Sequence, residues 1–585
     1  MNRLFYTVPL AALAWLALPA SSSARAQDFE RIAPHLPPGG GDGAILEDQP
    51  EELSPSDDHT ELLPALKGLV LVPTPGDVRV AGRPEVSGVR VEGVLLLDQA
   101  EWSARLAPRL GEPLRMSDLH AIMREIILHY RSEDRPVVDV LVLEQDITSG
   151  VVQLAVVEAR LGEVRAEGAK HFKAERLAGQ IRLTPGQPIY STLLRADLAW
   201  LNNNPFRSVD LVYTPGRADG ETDVVLRVED RFPLRLYTGY EDSGNQLTGE
   251  DRWLAGINYG NLWGLDHQIN YQWSFGSEID QLSAHAVSYI APLPWRHTAT
   301  LFAAHVASEA DLPAPFNLSG ETWQIGGRYT VPLPGGTTGS GGHFSHELEL
   351  GFDFKNSTSN LAFGLLPLPG VDTDIGQFLI GYRVRLQDSL GATGLGIFGY
   401  ASPGGMSQAN ETPAFQTARA GAEAAYHYAR LDVERLQRLP GGWTAALKGV
   451  FQAADENLLP SEQLGLGGYS SVRGYEEREA NVDRGYFLSA ELRTPPVSLL
   501  QTMNLSGGGD ELQFLVFVDH ASGGSVHRLP GEARQVTLTS VGPGLRWTMG
   551  DQFSMRLDYG FQLEDTGMAL SQGDSRIHLG MVLAY

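Results

Sequence analysis

From residue 231 to residue 585, apolar and polar side chains alternate with a period of two, in one segment after another. Ile269, Tyr271, Trp273 and Phe275 alternate with Gln268, Asn270, Gln272 and Ser274. Phe553, Met555, Leu557, Tyr559 and Phe561 do so with Ser554, Arg556, Asp558 and Gly560, and Ile577, Leu579, Met581, Leu583 and Tyr585 with Arg576, His578 and Gly580. A strand sends successive side chains to opposite faces, so each segment offers one greasy and one wet face. Turn clusters such as Pro440-Gly441-Gly442 separate the segments, and seven of the ten tryptophans fall in this region. A soluble sandwich or propeller also alternates. An export signal, and a final apolar strand that ends on an aromatic residue, favour a membrane barrel instead. Beyond the leader no run reaches the ~18 apolar residues of a spanning helix, and lipid admits a backbone only as a helix or a closed barrel. At about 10 residues per membrane strand plus connections, this region holds roughly 16 antiparallel strands.

Export is read from residues 1–26. Arg3 precedes a mostly apolar stretch, and Ala24-Arg25-Ala26 has the small-x-small pattern of a signal-peptide cleavage site. The formal charge of −26 would repel phosphate, so a nucleic-acid partner is not expected. Cysteine is absent, which removes disulfides, thiolate metal sites and thiol nucleophiles.

Residues 27–75 have the Pro, Gly and acidic composition of a flexible linker, with a short stretch at 29–35 that is at most a brief plug segment. An apolar patch at 62–72 either packs on the next domain or forms its first strand. Residues 76–160 and 161–230 look like two copies of one small α+β unit. Val89-Arg90-Val91-Glu92-Gly93 recurs as Val164-Arg165-Ala166-Glu167-Gly168, and each copy is followed by helix, helix, strand, strand. In the first unit Asp98 is expected to cap a helix running to residue 107. Ser117 is expected to cap a second, with Leu119, Ile122, Met123, Ile126 and Tyr130 on one face. Strands follow at 137–143 and 151–157. The second unit has helices at 174–181 and 192–202 and strands at 208–213 and 222–229. Each unit then reads as a three-stranded sheet under two helices, with a sheet edge left free.

Four elements carry a family resemblance. Val472-Arg473-Gly474-Tyr475, in a glycine-rich loop, matches the V-R-G-Y tetrapeptide of outer-membrane protein translocators. Phe517-Val518-Asp519 matches their F-x-D strand element. Leu201-Asn202-Asn203-Asn204-Pro205-Phe206-Arg207 resembles the N-x-N-P-F-R stretch of the haemolysin and filamentous-haemagglutinin transporters. Glu144-Gln145-Asp146-Ile147 with Gly150 resembles a first-repeat element of the same proteins. The chain thus resembles a two-partner secretion transporter. The resemblance implies two periplasmic POTRA domains before a 16-stranded barrel in the outer-membrane lipid, and a loop folded into the lumen so that Arg473 meets Asp519. It implies a large, repeat-rich exported protein as partner, and Tyr585 as an assembly signal for the barrel-assembly machinery. Relatives often end in Phe, and Tyr keeps the ring.

The strand carrying Asp519 independently places Gln513, Leu515 and Phe517 on the same face. A carboxylate facing lipid is costly, so that face is expected to line the lumen, where an ionised Arg needs a carboxylate partner. Gly474 permits a tight turn at the loop tip, and Tyr475 and Phe517 are expected to pack around the pair. No catalytic constellation, cofactor motif or metal-ligand spacing is present. Gly394-Leu395-Gly396-Ile397-Phe398-Gly399 fits a dinucleotide fingerprint but precedes Tyr400-Ala401-Ser402-Pro403 rather than a helix, so it reads as a barrel strand. The competing functions are a barrel-assembly insertase, disfavoured by having only two repeats, and a diffusion porin, which needs no repeats.

Overall fold

The computed structural model describes residues 33–36, 45–46, 58–246, 248–310, 316–337, 342–363, 366–367, 370–503, 509–566 and 575–585. The expected signal peptide and residues 29–32 lie outside them. Two compact units emerge, one of residues 40–232 and one of residues 233–585 joined by the N-terminal segment.

In the first unit, Gly68–Val72 (β1) is the strand left open by the sequence. It lies between Gly88–Val91 (β2) and Val151–Glu158 (β4), with Val138–Leu141 (β3) on the far edge. The sheet therefore has four strands where three were expected. All five residues of β1 are buried, so burial on both faces hides the period-two signal that marks a half-exposed strand. The helices Gln99–Leu106 (α1) and Met116–Ser132 (α2) cover it. Asp98 caps α1 by accepting from the backbone N–H groups of Ala100 and Glu101, each at 2.9 Å. α2 begins one residue before the expected cap. Asp118 accepts from the Arg115 N–H at 3.1 Å, and Ser117 lies inside the first turn with its own N–H donated to the Asp58 carbonyl. Leu119, Ile122, Ile126 and Tyr130 are buried as expected; Ile127 joins them, and Met123 is half-buried.

The second repeat is Arg160–Glu167 (β5), helices Ala174–Ala178 (α3) and Ser191–Leu201 (α4), Arg207–Pro215 (β6) and Glu221–Asp230 (β7). Its three-stranded sheet gains a fourth, two-residue member: Ile45–Leu46 pairs in parallel with Leu211 and Val212. Gly93 and Gly168, which end the duplicated pentapeptides, share φ values of +74° and +88°, so the repeat is one of backbone conformation as well as of residues.

The repeats meet through Asp134. Its carboxylate accepts from the Ser191 hydroxyl at 2.6 Å and the Thr192 N–H at 2.8 Å, supplying the cap that α4 lacks from its own residues. Arg135 lies 4.0 Å over the Tyr190 ring and bonds Glu158 at 2.6 Å. Burial alone would raise the Asp134 pKa. The hydrogen bonds from Ser191 and Thr192, with Arg135 beside it, outweigh burial and hold it below the ordinary value. A carboxyl depressed in the fold stabilises above its unfolded pKa and loses that contribution as pH falls through the folded value. The joint is thus expected to be intact at neutral pH and to loosen only below the ordinary carboxylate range. Asp134→Ala is expected to cost about 1 kcal/mol, the usual value of a lost helix cap. Hydrogen exchange at the start of α4 measures it; unchanged protection would show that the cap carries no weight.

The larger unit is a closed antiparallel cylinder. Among the described residues, sixteen long strands run from Leu234–Glu241 to Ser575–Ala584, with a two-residue strand, Leu366–Pro367, at one hairpin tip. The last strand pairs with the first, Tyr237 opposite Ala584 through Glu241 opposite Gly580. Tyr585 extends that pairing, its N–H bonding the Leu236 carbonyl at 2.8 Å while its carbonyl accepts from Leu236 at 3.1 Å. The fingerprint glycines fall within the strand Gly391–Pro403. No described helix is long and apolar enough to cross a membrane.

Candidate functional site: a loop locked inside the barrel

The face of each barrel strand settles where charge can sit. In the thirteenth strand, Asp510–Gly524, Phe514, Val516 and Val518 point outward and are half exposed, whereas Leu515, Phe517 and Asp519 are buried inside. Buried and half-buried wall charges such as Arg328 with Asp353 and Arg383 with Glu349 sit on the inner face, where they pair with one another.

Residues 455–483 connect the eleventh strand, Thr444–Ala454, to the twelfth, Arg484–Arg493. Rather than extending away, they fold into the lumen as a small hairpin, Leu464–Leu466 against Ala480–Val482. Leu466, Val472, Tyr475 and Val482 are buried against the wall residues Val450, Phe487, Ala521 and Leu538. This apolar packing carries the polar tip to the wall.

At the tip Arg473 is 2% exposed. Its Nε donates to Asp519 Oδ2 at 2.7 Å and its Nη2 to Oδ1 at 2.8 Å, a bidentate pair, while its backbone N–H reaches the same carboxylate at 3.1 Å. Nη1 bonds Glu491 at 2.6 Å and lies 3.4 Å from Asp558. Below the guanidinium, the Phe517 ring centre is 3.5 Å away. A planar fork with five donors suits this crowd of acceptors, and a lysine ammonium does not. Arg546 shares Glu491 Oε1 and Asp558 Oδ1 with Arg473, while Arg493 takes Glu491 Oε2 and Arg556 takes Asp558 Oδ2, so several strands join one charge network.

The next two residues complete the seat. Gly474, at φ +93°, donates to His578 Nε2 at 2.9 Å and accepts from Gln562 at 2.6 Å. A Cβ on Gly474 would meet backbone atoms of Gly560 at 2.8 Å, and one on Gly560 would meet the Gly474 nitrogen at 2.5 Å. Tip and wall thus touch backbone to backbone. Gly560→Val is expected to unseat the tip while the barrel still forms. Thiol labelling of a cysteine placed at the buried Val472 reads this out, and labelling as slow as in the parent would show that the contact tolerates a side chain. Tyr475 does not lie on the Arg473–Asp519 pair as expected from the sequence. It is buried beside it, and its hydroxyl donates to the carbonyls of Thr539 and Glu564 at 3.0 and 2.8 Å. Phe517 does pack on the pair.

The other expected site residues are placed as follows. Asn202 exchanges two hydrogen bonds with the Val209 backbone, and Asn204 accepts from the Phe206 N–H at 3.1 Å. Phe206 enters the core, and Arg207 donates to the Leu201 carbonyl and covers the Phe172 ring at 4.8 Å. With Pro205 between them, these residues build the turn from α4 to β6. Described residues 33–36 form no helix. The His35 N–H donates to Tyr237 and Gln272, and its carbonyl accepts from Arg235, so this short segment lies extended against the inner wall.

Residues 220–333 and 376–547 match the profile of the haemolysin secretion/activation protein family ShlB/FhaC/HecB, and residues 85–159 match the ShlB-type POTRA domain. The chain belongs to that family of two-partner secretion transporters. An outer membrane transporter CdiB of Escherichia coli is 24% identical over 485 residues, covering 79% of this chain and 78% of its own. A heme/hemopexin transporter protein HuxB of Haemophilus influenzae is 22% identical over 480 residues, covering 78% and 79%. The solved structure of CdiB from Escherichia coli superposes with a TM-score of 0.68 at 17% identity, over 96% of this chain and 95% of that one.

As a member of this family the transporter resides in the outer membrane, with its POTRA domains in the periplasm, and acts with a secreted partner protein. The exposed apolar side chains of its strands face lipid, and its buried ion pairs line the lumen. Sequence reasoning found Arg473 and Asp519 but missed Glu491, Ser489, Asp558, Gly560 and His578. Their signal is present locally as charges spaced by two, Glu491 with Arg493 and Arg556 with Asp558, which marks an inner face. Which of these strands the tip would meet depends on barrel register.

Proposed function

We propose that this transporter recruits an unfolded exported partner at its POTRA domains and passes it through the barrel to the cell surface, with the Arg473 tip holding the lumen in a competent shape. The supporting observation is the seat of Arg473, where one guanidinium ties the loop to Asp519, Glu491 and Asp558 on three different strands. A seat fixed on three strands suits a loop that shapes the lumen for passage. The partner is a large, repeat-rich protein, and Tyr585 marks the final strand for the barrel-assembly machinery. The absence of a nucleotide motif leaves folding of the cargo outside as the source of directionality.

Recruitment uses backbone hydrogen bonds, which bind an extended chain with little demand on its sequence. β3 is an outer strand of its sheet, and Leu141 with the following Val142 is exposed there. A photo-reactive side chain at Leu141 is expected to capture the exported partner. Capture from the second POTRA domain but never from position 141 would move the docking edge elsewhere. Depletion separates the remaining alternative: loss of one secreted protein fits a transporter, and general loss of outer-membrane barrels fits an insertase.

A further inference from the structure

The lumen loop is also held at a second place, far from its tip. Glu462, on the limb that enters the lumen, is fully buried and ion-paired with Lys355 of the seventh strand, His343–Phe363, itself buried. The same carboxylate accepts from the Tyr428 hydroxyl at 2.8 Å, on the tenth strand, Ala425–Arg438, and from Gln377 Nε2 at 2.9 Å, on the eighth, Val371–Asp388. The tip is bonded instead to the twelfth through sixteenth strands. The loop therefore spans two sectors of the wall.

The two attachments are unequal. Arg473, Gly474 and Tyr475 together bond eight wall residues or their connections, with backbone-to-backbone contact besides. On the limb, the bonds described to the seventh and eighth strands rest on the one Glu462 carboxylate, whereas its other holds, Gln452 on the Glu462 carbonyl and His527 on Asn457, lie toward other parts of the barrel. Beside it loop and wall already part around a cavity of about 280 Å³, whose lining includes Lys355, Ser357, Thr373, Ala418, Pro460 and Ser461. A buried ion pair repays its desolvation only while both partners stay together, and separation into a wet lumen rehydrates both charges. Such a pair opens reversibly when something else occupies the gap.

We propose that Lys355 and Glu462 form a latch, and that the exported chain passes between the loop limb and the seventh and eighth strands while the Arg473 tip stays seated. This rests on the lumen being the route of the cargo. Because the chain has no cysteine, thiol chemistry addresses introduced positions alone. S357C/S461C places one thiol on each side of the cavity and leaves the ion pair intact. In outer membranes, bridging them with a short bifunctional thiol reagent cleaved by reductant is expected to reduce secretion about tenfold or more, as for a blocked gate. Reductant is expected to restore it, and the single-cysteine variants to be unaffected. Secretion at the parental level with the bridge in place would overturn the route. K355M/E462Q, which removes both charges without stranding either, is expected to raise ion conductance in planar bilayers several-fold. Unchanged conductance would overturn the latch, and because that measurement needs no cargo it separates failure of the latch from failure of the lumen route.

Discussion

Arg473→Ala is expected to cut secretion roughly tenfold or more while the barrel still assembles, because a buried network loses the cation that neutralises it. The losses are uneven. Glu491 keeps Arg493 and Arg546, and Asp558 keeps Arg546 and Arg556. Asp519, fully buried, keeps the Ser489 hydroxyl as its one remaining side-chain partner among the described residues. Leaving a carboxylate so placed costs about 3–5 kcal/mol, more than the tip can absorb and remain seated. Arg473→Lys is expected to rescue little, since a point charge cannot satisfy Asp519 bidentately while reaching Glu491. Asp519→Asn is expected to be milder, as Arg473 retains Glu491 and Asp558. The measurement is secreted partner per folded barrel, with folding judged by resistance of the barrel to unfolding in detergent at room temperature. Parental secretion from Arg473→Ala would mean that the tip seat is decoration.

The second large effect is at the other end of the chain. Trp102, on the buried face of α1, is fully enclosed, its ring meeting His129 edge-on at 5.3 Å with Arg105 over it at 5.1 Å. It belongs to the core formed by Leu69, Leu71, Ile122, Ile126 and Leu154. Trp102→Ala removes that ring and leaves a cavity, a change that costs about 3–5 kcal/mol. A domain of this size has little more stability than that to lose. The first POTRA domain is therefore expected to unfold locally and the barrel to remain inserted, so that secretion stops with a normal amount of barrel in the membrane. Limited proteolysis reads the effect directly, with cleavage expected between β1 and β4. A variant that resists protease like the parent and still fails to secrete would assign Trp102 a role other than packing.

How much of this was legible in the sequence follows from where each signal resides. Alternation along a strand is local, so the inner position of Asp519 could be read from its own charge, since a carboxylate on the lipid face is costly. The duplicated pentapeptides ending at Gly93 and Gly168 announced the two repeats, and Asp98 announced α1. β1 was not decidable, because a strand covered on both faces looks like any short apolar run. Ser117 was misassigned as a cap since Asp118, one residue on, does the capping from inside the helix. The wider seat of Arg473, and the Lys355–Glu462 pair, unite residues up to 107 positions apart. Those meetings are set by the closure and register of sixteen strands, and no spacing in the chain encodes them.

The central claim is that the cargo travels inside the cylinder. A photo-reactive side chain at Thr373, which lines the cavity on the inner face of the eighth strand, should cross-link to the exported partner during secretion, whereas one at Ile380 on the outer face of that strand should label lipid alone. Cross-links to the partner from Ile380, or none from Thr373 while secretion proceeds, would contradict it.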